Sequence, residues 1–250
     1  MRVRAGLLGG ANRWMGPVAG LAGLVASAPT APVRGAEFAG PSPVSVLLFG
    51  SLEAGPSVFV TTGAKAALDR IDREGFVALA SVGGGQRRET AGIRATTIGA
   101  VVFGYQWFAD WGVVALYAGA EGTADVIYGC GCLRALPPRF GLRLHGEIWA
   151  RPSDETLFVA TLILGSTRAS AWGRAAWGYR ALGDWVWGAY LGPEVSFYGD
   201  ETGYQKWGAG LHATDVDLGR VHLRFSAGLQ FASERQDIGP YVGLTVWSPW

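Results

Sequence analysis

Apolar and polar residues alternate along much of this chain. Between Val221 and Phe231, Val221, Leu223, Phe225, Ala227, Leu229 and Phe231 fall on one side, and His222, Arg224, Ser226, Gly228 and Gln230 fall on the other. A period of two belongs to a β-strand with one apolar and one wet face. The pattern recurs, separated by Gly, Asp, Pro and Ser turn residues. It predicts twelve strands, near 43–52, 56–66, 74–85, 92–106, 111–122, 140–151, 155–165, 170–182, 185–198, 203–214, 217–231 and 238–248. Ala64 to Arg73 also fits a short helix. Gly83–Gly84–Gly85 reads as a strand end and turn, and Gly122 to Arg139 as a long loop. Short turns are expected at Leu182–Trp185, around Ala213–Val216 and from Arg151 to Glu155.

Charge keeps to one phase of the alternation. Between Phe140 and Arg151, Leu142, Leu144 and Ile148 point one way, and Arg143, His145, Glu147 and Arg151 the other. Between Ala171 and Leu182, Trp177 and Tyr179 oppose Arg174 and Arg180. Between Trp185 and Tyr198, Trp185, Trp187, Ala189, Leu191, Val195 and Phe197 oppose Gly188, Tyr190, Gly192, Glu194, Ser196 and Tyr198. Between Tyr204 and Thr214, Trp207, Ala209, Leu211 and Ala213 oppose Lys206 and His212. An Arg or Lys on a lipid face at mid-membrane costs about 2–4 kcal/mol, so this segregation is what a membrane barrel requires. The predicted fold is all-β: an antiparallel, up-and-down transmembrane β-barrel of about twelve strands, apolar outside and polar in the lumen. An even count puts both termini and the three short turns on the periplasmic side, and the long 122–139 stretch outside. A soluble sandwich also segregates its faces, but Trp at strand ends suits the aromatic girdles of a barrel.

Composition agrees with that picture. Hydrophobic residues make up 49% and charged residues 16%, yet the region after the leader holds no long apolar helix. Barrel strands resolve this, since they need only about 9–11 tilted residues with every second one apolar. The 39 Gly suit strand bends and a narrow lumen, and the 11 Trp suit the girdles. A net charge of +1 argues against a nucleic-acid binder, which would show a basic stripe. At the N-terminus, Arg2, Arg4 and Arg13 precede a short apolar run, Val18 to Ala26, and then small residues. That is the anatomy of a secretory signal peptide. Residues 1–36 are the expected signal and 37–250 the barrel domain, exported to the outer membrane with its lipid as the surrounding partner.

Chemistry-bearing motifs are sparse. Cys130 and Cys132 stand one residue apart, a poor spacing for a disulfide and, with no nearby His, for a metal. No metal or cofactor is expected. The inward set comprises Arg143, His145, Glu147, Arg174, Arg180, Glu194, Lys206, His212, His222 and Arg224. In a small barrel such groups pair into a polar plug; a selectivity lining or a sugar-binding groove is the functional alternative. Glu147 and Glu194 invite comparison with a glycosidase carboxylate pair, whose separation sequence cannot supply. A lipid hydrolase would need a Ser–His–acid set at the lipid rim. There is no G-x-S-x-G elbow, and all three His fall on the inward phase. No catalytic residues are therefore assigned. The alternation predicts that Phe225→Asp blocks membrane assembly and that Gln230→Asp is tolerated.

Leu191 to Gly228 carries a resemblance. It contains Gly192–Pro193–Glu194–Val195–Ser196, the Tyr198–Gly199 turn and a Tyr204–Gln205–x–Trp207 strand that runs on to His212. A closing strand, Gly239 to Leu244, and the earlier Val101 to Trp107 fit the same style. These stretches resemble the BcsS-type cellulose biosynthesis proteins. Gly208 stands where that family often has Arg. The resemblance implies a non-enzymatic, outer-membrane accessory to cellulose biosynthesis or secretion, with cellulose or components of the cellulose synthase complex as partners. A generic small porin or structural barrel unrelated to cellulose is the alternative.

Overall fold

The computed structural model describes residues 45–89, 92–129, 131–180, 188–234 and 236–250, so the predicted leader lies outside the described residues. The described residues form thirteen strands: β1 (Val46–Ala54), β2 (Ser57–Ala67), β3 (Gly75–Glu89), β4 (Gly92–Ala109), β5 (Gly112–Gly129), β6 (Cys132–Ala135), β7 (Arg139–Ser153), β8 (Thr156–Gly165), β9 (Ser170–Tyr179), β10 (Tyr190–Gly199), β11 (Gln205–Asp217), β12 (His222–Ala232) and β13 (Asp237–Pro249). Twelve of them close into a ring in the order β4-β3-β2-β1-β13-β12-β11-β10-β9-β8-β7-β5, with β5 returning to β4. β6 pairs with β5 alone. Pairing of β1 with β13 is antiparallel, as at every other step, and leaves the ring without a free edge. This is a closed, antiparallel, twelve-stranded transmembrane barrel.

The alternation sorts the side chains as lipid and lumen require. Phe103, Leu142, Val195, Trp207, Leu211, Leu229 and Val242 are each more than half exposed, while Arg143, Glu194, Lys206, His212, Arg224 and Gln230 are buried. A soluble surface rarely carries so continuous an apolar band. The pattern also runs further than the predicted boundaries. β3 continues through Gly83–Gly84–Gly85 to Glu89, where a turn is expected from sequence. The cause is the Phe59 ring on the neighbouring strand: a Cβ on Gly85 would stand 2.3 Å from it and one on Gly83 2.9 Å. These glycines make room for an inward aromatic. The 122–139 stretch is likewise no loop, since β5 continues to Gly129 and folds back as β6. β4 and β5 each reach 18 residues, well beyond what a membrane crossing needs.

Other boundaries shift for local reasons. Ala64 to Ala67 is strand, paired with β3 from Ala64↔Ala80 to Ala67↔Val77, and not helix. Around Ala213–Val216 the chain makes a bulge inside β11, with Asp215 at φ 61°. The turn follows after Asp217, where the Leu218 amide bonds to the Val221 carbonyl. The expected turn at Leu182–Trp185 and the lipid-facing Trp185 and Trp187 lie outside the described residues, and β10 begins at Tyr190.

The lumen departs from the uniformly polar interior expected from sequence. Val77, Leu79, Val102, Ala115 and Tyr117 form one buried apolar cluster, with Phe49 and Ala67 packed on it. Leu157, Val159 and Tyr190, with Trp149 against them, form a second. A barrel this narrow fills part of its inside with side chains, and apolar ones fill it at no hydrogen-bonding cost.

Candidate functional site

Charged groups in the lumen are paired, several of them with partners on strands that are not neighbours. Arg224 bonds to Glu194, which also accepts from Ser226 at 3.0 Å and Tyr241 at 3.4 Å. Lys206 bonds to Glu53, and Gln230 donates to the same carboxylate at 3.1 Å. Arg143 lies 3.4 Å from Glu121, whose other oxygen takes the Thr167 hydroxyl at 2.5 Å. Lys65 on β2 reaches Glu147 on β7 at 3.4 Å, and His145 Nε2 lies 3.2 Å from the same carboxylate. Two carboxylates singled out from sequence, Glu147 and Glu194, therefore belong to separate clusters, each tied to its own cation.

The other predicted residues have distinct places. His212 is buried, with Nδ1 unpartnered. Arg174 lies with its guanidinium 5.8 Å from the Trp172 ring, in the neighbourhood of Glu194 and Glu53. Arg180 sits past the end of β9, donates to the Gly188 carbonyl at 3.2 Å and stands over Tyr190. His222 stacks on Trp247, centroids 5.8 Å apart and planes at 18°. Arg151 is half exposed and bonds to Asp215 at 2.6 Å. A Cβ on Gly208 would stand 2.6 Å from Ser196 Oγ and 3.6 Å from the Gln230 side chain. Cys132 is an exposed thiol 3.1 Å from the Gly129 carbonyl, and Cys130 lies outside the described residues. Among the described residues, no three of His, Cys, Asp and Glu gather as metal ligands would.

Two constrictions cross the barrel. At the end that holds Val46 and Pro249, Trp149 of β7 meets Trp247 of β13 with ring centroids 6.0 Å apart and planes at 73°. Those strands stand six places apart in either direction around the ring of twelve, so the pair spans the lumen. Trp is expected from sequence in lipid-facing girdles. Trp207 and Trp177 do face outward, but Trp149, Trp172 and Trp247 alternate with lipid-facing neighbours and point inward.

At the opposite end six side chains form a closed ring of alternating charge. Arg94 bonds to Glu89 at 2.5 Å, Glu89 to Arg87 at 2.8 Å and Arg87 to Asp200 at 2.8 Å. Asp200 bonds to Arg168 at 2.8 Å, Arg168 to Asp125 at 3.0 Å, and Asp125 returns to Arg94 at 3.3 Å. All six side chains are at most 12% exposed. β3, the source of Arg87, is diametrically opposite β10, which ends just before Asp200. Arg87 also lies over the Tyr204 ring at 4.2 Å. None of the six is in the inward set read from sequence. Arg87 and Glu89 follow a glycine run read as a turn, and Asp125 stands in a stretch read as a loop. Continued alternation past Gly85 and Gly122 was the available signal.

A closed ring with an apolar belt and an interior crossed at both ends defines the class: a transmembrane β-barrel whose inside is largely filled. The family model described as cellulose biosynthesis protein BcsS matches residues 47–250, and the chain belongs to that family. Among solved structures, the translocator domain of the autotransporter NalP from Neisseria meningitidis is similar at TM-score 0.48 and 15% identity, over 84% of this chain and 90% of that one. A KdgM porin is similar at TM-score 0.46 and 12% identity, over 82% of this chain and 99% of that one. The KdgM porin in complex with disordered oligogalacturonate gives TM-score 0.42 and 11% identity, over 82% and 99%. No curated protein matches the chain.

Proposed function

We propose that this chain is a non-enzymatic, outer-membrane accessory to cellulose biosynthesis or secretion, acting by contact with the polymer or with the synthase complex. Membership of the BcsS family over residues 47–250 carries the reading. The cross-lumen contacts support contact over conduction, because an open conduit would not have Trp149 on Trp247 at one end and Arg87 on Asp200 at the other. The paired state of Glu147 and Glu194 supports the absence of catalysis. A proton-donating carboxyl needs an apolar setting or a like-charged neighbour, and each of these has a cation instead.

In this reading residues 1–36 are the export signal and 37–250 the barrel domain. Both chain ends face the periplasm, so the Trp pair faces inward to the cell and the charge ring outward. Arg143, His145, Glu147, Arg174, Glu194, Lys206, His212 and Arg224 serve as a plug, while Arg180 lies over Tyr190 and His222 on Trp247. The test is deletion of the gene in its native host, with cellulose quantified and the tagged protein followed by membrane fractionation. Altered cellulose, with the protein in the outer membrane, is the expected result. Unchanged cellulose with the same location would return the chain to the class of general porins or structural barrels.

A further inference from the structure

One cation breaks the rule that keeps charge off the lipid side. Arg87 and Glu89 point inward to the charge ring, so Arg88 between them points outward. Among the described strands, it is the Lys or Arg that both faces lipid and bonds to no other residue. Its row across the sheet continues through Ile93 on β4, Tyr128 on β5 and Leu133 on β6, all exposed and uncharged. On β3, Phe76 to Gln86 matches the roughly 9–11 residues of one tilted membrane crossing, with Phe76 exposed at the far end. Arg88 therefore stands one step past the hydrocarbon, at the level of lipid headgroups.

Below Arg88 the same face is built of small side chains. Gln86 and then Gly84 follow it down β3, and Gly84 lies in line with Thr97 and Ala124. This lane opens into a shallow depression of about 680 Å³, with Ala64, Ala80, Gly99 and Gly122 as its floor between Leu48 and Phe140. The floor crosses β2 to β5, strands about 4.8 Å apart, so more than one acyl chain fits side by side. A Cβ on Gly99 would meet only the Ser81 carbonyl, at 4.0 Å, so the space in front of it is open. Thr62, in the depression, donates its hydroxyl to the Phe49 carbonyl at 3.2 Å. Arg88, Gln86 and Thr97 are exposed, have no partner in the chain and stand at the outer end of the lane. Polar groups thus lie where headgroups do, and bare floor where hydrocarbon does.

We propose that Arg88, Gln86 and Thr97, with the depression below them, bind one phosphate-bearing lipid of the outer leaflet that carries several acyl chains. Arg88 meets the phosphate with paired, charge-assisted donors. The Gln86 amide and Thr97 hydroxyl reach the ester or amide groups where the chains begin. The chains then fill the depression, which restores the dispersion contacts a gap in the wall forfeits. A lipid is the occupant because the depression is continuous with the bilayer-facing surface and its outer end offers a cation with no acidic neighbour. The site rests on the reading given above for its leaflet, since the end opposite the chain termini faces outward there.

The test uses the full-length barrel in detergent, titrated with bisphosphorylated lipid A or with phosphatidylcholine and followed by native mass spectrometry. Wild type is expected to hold lipid A about tenfold tighter or more, the effect of one hydrogen bond to a charged group. Arg88→Gln should lose that preference and Arg88→Lys keep part of it. Gly99→Leu should weaken both lipids, because the leucine fills the floor. Arg134→Gln, exposed but on the face of Arg94 and Ile127, should bind as wild type does. Inorganic phosphate in excess should not displace the lipid. Folding of each variant is checked by heat-modifiable migration. Absence of preference in wild type, an unchanged preference in folded Arg88→Gln, unchanged binding by folded Gly99→Leu, or displacement by inorganic phosphate would each overturn the site. The exposed Cys132 thiol lies at the same end of the barrel, and a membrane-impermeant maleimide should label it in whole cells. Lack of labelling would overturn the outer-leaflet assignment together with the orientation it rests on. A failed titration with Cys132 labelled would remove the lipid site alone.

Discussion

Asp200 holds the charge ring together from the turn after β10. It accepts from Arg87 and Arg168, each at 2.8 Å, from the Tyr198 hydroxyl at 2.9 Å and from the Thr202 amide at 3.0 Å. Burial alone would push its carboxyl up. The Thr202 and Arg87 hydrogen bonds, with the charges of Arg87 and Arg168, outweigh that and hold it below the usual carboxylate range. A group whose folded pKa is depressed contributes stability above its unfolded value, about 3.9 for Asp, and loses it as pH falls through the folded value. The unfolding temperature, read by heat-modifiable migration, should therefore be insensitive to Asp200 between about pH 7 and 5 and fall below about pH 4. Asp200→Asn should remove that part of the acid dependence and cost about 1.5–3 kcal/mol at neutral pH, since Arg87 and Arg168 each lose one charged partner but keep Glu89 and Asp125. An identical acid profile in the variant would assign the loss to other carboxylates. Gln230 shows how a partner changes a prediction. It is fully buried and donates to Glu53, so Gln230→Asp sets like charges together, and the tolerance expected from alternation alone does not hold at this residue.

Single strands are the scale at which sequence was most informative. Phe225 is 46% exposed on the lipid side of β12, and Thr245 faces inward opposite Arg224. Phe225→Arg should lower assembly into liposomes by about 2–4 kcal/mol, whereas Thr245→Asp should assemble as wild type does. Equal assembly of both would contradict the assignment of faces. Twelve strands were legible because lipid on one side and a filled lumen on the other enforce a period of two. Strand ends were less so, because glycine ordinarily marks a turn. At Gly83 and Gly85 its reason is steric, the inward Phe59 ring. Gly85→Ala brings a Cβ within 2.4 Å of the Val58 carbonyl as well as against that ring. It should destabilise the barrel by about 1–3 kcal/mol in urea. Phe59→Ala in the same chain should recover only part of that, since the carbonyl contact remains.

Across the whole molecule, contacts between opposite walls were invisible to sequence. Alternation tells which residues face inward, but not that Arg87 meets Asp200 or that Trp149 meets Trp247, because those pairs depend on ring order and stagger. Their arrangement in series has a measurable result. Purified wild type in a planar bilayer should give no steady ion conductance. Asp200→Asn alone and Trp149→Ala with Trp247→Ala should each leave one end shut. All three substitutions together should still give none, because the ion pairs and apolar clusters between the two ends stay in place. Steady conductance in wild type would show that the ends do not seal.

The seam between β1 and β13 also sets the order of events in assembly. It pairs Leu47 with Pro249, so the first described strand must wait for the last one before the ring can shut. Until then β1 and β12 both present unpaired backbone, and two such edges on a chain this apolar are templates for aggregation. Proteolysis or premature termination within the final dozen residues should therefore yield a sheet that sticks to its neighbours, where a loss at a mid-chain turn would not, and a periplasmic holdase is the class of helper such a late-closing chain needs.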